Sequence, residues 1–112
     1  MQSMGHDVQD RISLEIARQI ARELAARPEW IDQARENLAR WRTINANAPA
    51  LLRCYAEWEE LLGQPIPVVV QALTAETEEG QRLRQNSPFA GALPAQVIWD
   101  IKRRLRDETI AA

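Results

Sequence analysis

Prolines set the architecture of this chain. Pro28, Pro49, Pro67 and Pro94 each stand at the head of a segment whose apolar residues recur at helical spacing. Proline has no N–H to give to a helix interior and pushes the residue before it out of the α region. It suits the first turn of a new helix, where the N–H would be unpaired anyway. A chain punctuated in this way folds into a series of short helices joined by tight corners.

The segments between the prolines bear this out in their patterning. From Val8 to about Arg27, Ile12, Ile16, Ala17, Ile20, Ala21 and Leu24 lie on one helical face, with Arg and Glu on the other. After Pro28, Glu29 and Asp32 place negative charge at the positive end of a second helix, whose stripe is Trp30, Ile31, Ala34, Leu38 and Trp41. Asn45–Ala48 reads as a turn. Pro49 then opens a third helix with Leu51, Leu52, Tyr55, Trp58, Leu61 and Leu62 inward, and Gly63 is placed for a left-handed cap. The short link makes the second and third helices an antiparallel αα-hairpin in the N-terminal half.

Val68-Val69-Val70 has strand character, but no other segment reads as a strand to pair with it. Ala72 and Leu73 continue it as a short helix over 67–73. Thr74 is placed to cap a helix over 75–85, acidic at its start (Glu76, Glu78, Glu79) and basic at its end (Arg82, Arg84), with Gly80 weakening its interior. Pro94 starts the last helix, with Val97, Ile98, Ile101 and Leu105 inward. The expected fold is all-α: a single compact domain of five or six helices over 8–108, with a flexible tail at 1–7 and a frayed end at 109–112.

One stretch resists the helical pattern. QRLRQNSPFAGAL, Gln81–Leu93, runs from two arginines through polar residues into Pro88, Phe89 and a turn at Ala90–Gly91, and it holds the chain's only phenylalanine. An aromatic kept in a Pro/Gly-flanked loop either packs on the protein's own core or is offered to a partner. Trp99 poses a similar choice. It lies off the centre of the last helix's apolar face, beside Lys102, Arg103, Arg104 and Arg106, and tryptophan and arginine dominate binding hot spots.

Composition narrows the functional classes. A formal charge of −2 and 46% hydrophobic residues describe a globular domain, without the excess of Lys and Arg that a general nucleic-acid coat needs. Cys54 is the only cysteine, so neither an internal disulfide nor a cysteine zinc cluster can form. His6, the only histidine, falls in the expected tail, a poor place for a catalytic base. The four glycines are scattered and form no phosphate loop, and no Glu-x-x-His pair suggests a metal. Glu57/Glu60 and Glu76/Glu79 pair carboxylates on helix faces, where solvated surface explains them. No enzyme, cofactor or metal is expected. The first residues carry no basic start and apolar run, and no apolar run is long enough for a membrane span, so a cytoplasmic protein is expected.

Three stretches together, IARQIARELAARPEWIDQARENLARW, YAEWEELL and EEGQRLRQNSPFAGAL, resemble a group of small bacterial helical proteins, some of them antitoxin-like partners of an adjacent toxin gene. The resemblance covers roughly residues 12–105, with RLRQNSPFAG its most specific element. Leu93 before Pro94 departs from the Ser or Thr cap expected there. The resemblance implies a protein that binds and neutralises a partner encoded nearby. The expected contact surface is Arg82, Arg84, Phe89, Trp99 and Arg103, the aromatics as anchors and the arginines paired to carboxylates or seated in a phosphate pocket of the partner. The alternative is a small DNA-binding regulator using the Arg-rich last helix, alone or as a homodimer. The near-neutral charge argues against that, and the two helix-turn-helix candidates, Ile16–Leu38 and Val68–Gln85, carry acid early in their second helix.

Overall fold

The structure, a computed structural model, describes residues 4–111, with side chains described from 8 to 108. Six helices make up the described chain: α1 (Met4–Leu24), α2 (Glu29–Ile44), α3 (Pro49–Leu62), α4 (Ile66–Thr74), α5 (Glu78–Gln85) and α6 (Ala95–Ala111). α1 starts before the expected Val8 and ends at Leu24, short of the expected Arg27, while α6 runs past its expected end. Residues 4–7 and 109–111 are helical, because an established helix extends one hydrogen bond at a time without needing a buried side chain at each step. Residues 1–3 and 112 of the two expected tails lie outside the described residues.

α1 is the spine. It packs against α4, α5 and α6, while α2 and α3 form the expected hairpin and α3 also meets α4. Leu24, Ala34, Leu38, Trp58, Val69 and Leu73 have no exposed surface, so one core draws on α1 to α4. Leu83, Phe89 and Leu93 join that core from the C-terminal half. A second, smaller cluster of Ile12, Ile101 and Leu105 fastens α6 to the N-terminal half of α1.

Three local expectations are corrected. Gly63 does cap α3, its N–H donating to Glu60 O and Leu61 O, but at φ −83° it lies in the right-handed region. Thr74 does not cap α5; its hydroxyl donates back to Val70 O at 2.8 Å. Thr77 takes that role by accepting from the Gly80 N–H at 3.0 Å. Gly80 is no mere weak point either. It is buried, and a Cβ built on it would stand 2.1 Å from the carbonyl oxygen of Ala75. Only glycine lets α5 lie this close to the chain leaving α4.

Candidate functional site

Segment 81–93 turns its distinctive side chains inward. Phe89 is 3% exposed and meets Trp58 edge-on, with ring centroids 6.2 Å apart. Trp58 in turn donates its indole N–H to Leu83 O at 3.0 Å, which ties α3 to the end of α5. Asn37 on α2 clamps the loop from outside, donating to Pro88 O at 2.8 Å and to Ala90 O at 3.2 Å. Gly91, at φ +86°, supplies the left-handed step that turns the chain toward α6. Phe89 is therefore a core residue. The exposed anchor role expected of it is corrected: its ring packs inside the protein against Trp58, and it also lines the cleft described below.

The two arginines separate. Arg84 is buried, and its guanidinium donates to Leu73 O and Ala75 O at 3.1 and 2.6 Å, closing the carbonyl end of α4. Burial pulls its pKa below the ordinary arginine value, while nearby Asp10 and Glu76 act in the opposite direction. Its Nε has no partner among the described residues. Arg84 is thus buried with its guanidinium committed to the end of α4, in place of the outward-facing role expected of it, although it also lines the cleft described below. Arg82 stays half-buried, held between Glu79 and Glu57 at 2.7 and 2.6 Å, and these hydrogen bonds raise its pKa. Those same bonds occupy one carboxylate from each of the pairs singled out in the sequence, and Glu76 bonds Arg18 at 3.3 Å. Among the described residues no group of three or more His, Cys, Asp or Glu side chains converges.

Trp99 takes the opposite course and is 58% exposed. Arg103 lies over its ring at 5.8 Å and also bonds Asp100 at 3.2 Å, so the two expected contact residues form a small outward-facing unit on α6. Arg104 reaches Glu15 at 3.6 Å.

Beside this unit runs an open cleft of about 630 Å³. One wall is α6, through Ile98 and Lys102. The opposite wall is the corner between α2 and α3, with Trp41, Asn45 and Tyr55. Ile16 and Ile20 of α1, with Phe89 and Leu93, complete the apolar lining, and Gln85–Ser87 with Ala90–Gly91 supply its polar edge. Trp41 and Tyr55 pack ring to ring at 5.8 Å. Trp99 is about 100° further round α6 than Ile98, on the side of Lys102, so it forms the outer shoulder of the α6 wall. Ile44, 68% exposed, stands next to Asn45 on the facing shoulder.

Little in the sequence by itself marks this cleft. Trp41 and Tyr55 were read only as stripe residues and Lys102 only as part of a basic cluster. One signal was present: Lys102 follows Ile98 by four residues, which puts a cation on the edge of α6's apolar stripe. Which helices would face each other across a gap depended on tertiary packing. No helix among the described residues is long and apolar enough to cross a membrane. The chain matches no family model, no curated protein and no solved structure among those compared.

Proposed function

We propose that this domain is a non-enzymatic interaction module that works by binding another protein, in the manner of an antitoxin that covers and neutralises a partner encoded beside it. The observation that carries the reading is the open apolar cleft between α6 and the α2–α3 corner, continued on its two shoulders by exposed Trp99 and Ile44. Large apolar side chains left exposed beside a cleft are what a partner surface needs to bury. The antitoxin form of the proposal is supported by the sequence resemblance alone.

The direct test is to tag the protein, express it with the genes on either side, and identify what co-purifies at stoichiometric yield. A neighbour that is toxic alone and harmless in the complex is the expected result, and Trp99→Ala should weaken that complex while the protein stays folded. A protein that purifies alone and binds its own upstream DNA in a salt-sensitive way would replace this reading with that of a regulator.

A further inference from the structure

The charged groups lining the cleft share one sign. Lys102, half-buried, is the chain's single lysine and makes no ion pair with any described residue. An ammonium group can only donate. The Tyr55 hydroxyl accepts from Asn45 Nδ2 at 3.0 Å, which leaves its own proton to give. The Ser87 hydroxyl accepts from the Phe89 N–H at 3.3 Å and likewise keeps a proton to give. Arg84 also lines the cleft, but its guanidinium is committed to the carbonyls at the end of α4. No Asp or Glu is among the lining residues, although acids outnumber bases 16 to 14 in the whole chain. The cleft is thus a local reversal of the protein's charge: apolar on its floor and cationic at its edge, where the amides of Asn45, Gln85 and Asn86 can both donate and accept.

We infer that the cleft receives an acidic, apolar segment of a partner protein, whose side chains bury against Ile16, Trp41 and Ile98 while a carboxylate is held by Lys102. The inference rests on the interaction reading above and names the chemistry of the partner. A protein segment fits better than a small molecule because the apolar surface does not stop at the cleft. Trp99 and Ile44 extend it outward on both shoulders, where an isolated small ligand would leave them in water. Charge complementarity here sets specificity and encounter rate, while the apolar contacts hold the segment in place.

The test is selection of a random-peptide display library on the intact protein, followed by synthesis of the winners and mapping by amide NMR shifts. The expected winners pair Asp or Glu with Leu, Ile, Phe or Trp, shift the amides around Tyr55 and Lys102, and bind less well as salt is raised. Lys102→Gln should weaken them by up to about fivefold. Selection on Lys102→Glu should instead return basic peptides. The spectrum of each variant, compared with wild type, verifies the fold independently of binding.

Peptides that seat in the cleft without an acid preference, and ignore Lys102→Gln, would overturn the inference and leave the interaction reading standing. Sodium octanoate seating in the cleft when no peptide does would overturn it in favour of a small carboxylate ligand. Winners mapping elsewhere, or no binding by either probe, would overturn it as well.

Discussion

Segment 81–93 and the first half of α6 are neighbours in the chain and carry similar side chains, arginines with one large aromatic. They end in opposite environments. Phe89 lies against Trp58, and Arg84 closes α4 from within. Trp99 stands in solvent with Arg103 beside it. What separates them is the backbone that carries them. The loop's polar groups are paired by its neighbours: Asn37 takes Pro88 O and Ala90 O, and Ser87 takes the Phe89 N–H. A loop supported in that way can be drawn into a core at little cost in unpaired groups. α6 pairs its own backbone, so its only demand is burial of one stripe. Ile101 and Leu105 meet that demand against Ile12, and the rest of the helix surface is left for other uses.

The comparison can be broken from its buried side first. Phe89→Ala should cost ~3–5 kcal/mol, seen as a large fall in melting temperature, because it empties a packed site between α3 and the loop. A variant that melts like wild type would return Phe89 to the candidate surface. Gly80→Ala should come next, at ~1–3 kcal/mol by chemical denaturation, since its Cβ meets the backbone carbonyl of Ala75, which has no free end to swing away. Arg84→Met keeps much of the side chain's bulk and removes the guanidinium, leaving two carbonyls at the end of α4 without that donor. A loss of ~1–3 kcal/mol is expected, with no change in partner binding beyond what reduced stability explains.

The exposed side should respond in the reverse way. Trp99→Ala should leave the unfolding midpoint within the ~0.5 kcal/mol usual for surface sites and yet weaken any complex that uses the cleft. If it lowers stability as Phe89→Ala does, the contrast between the two segments fails. The smallest effect concerns the Arg82 bonds. Arg82 holds the Glu79 carboxyl below its ordinary value of 4.5, so that contribution is present above this pH and is lost as pH falls through the lowered value. Melting temperature followed on acidification should therefore fall slightly more in wild type than in Glu79→Gln. The difference should shrink in added salt, because the pair is exposed to solvent.

Most of the helical framework was legible because its causes are local. Prolines 28, 49, 67 and 94 mark helix starts through their own φ restriction, and apolar stripes at 3.6-residue spacing declare which face is buried. Caps were less legible. Thr74 and Thr77 can both accept from a backbone N–H, and only the path of the chain between α4 and α5 chose Thr77. Gly80 looked like a defect because the carbonyl it must clear, that of Ala75, comes near only after the chain turns between the two helices.

The amino-acid sequence by itself determined an all-α fold of five or six helices and most of the apolar stripes they bury, since these follow from backbone stereochemistry and the cost of exposing apolar surface. Tertiary structure alone decided which aromatic was hidden. Phe89 and Trp99 are both large aromatics in segments that also carry arginine. Their fates differ because Trp58 and Asn37, distant in sequence, converge on the loop. Tertiary structure also made the cleft, since α6 and the α2–α3 corner face each other only after both have packed around α1 and the loop. A cavity is a property of the space between elements, and no single stretch of sequence encodes it.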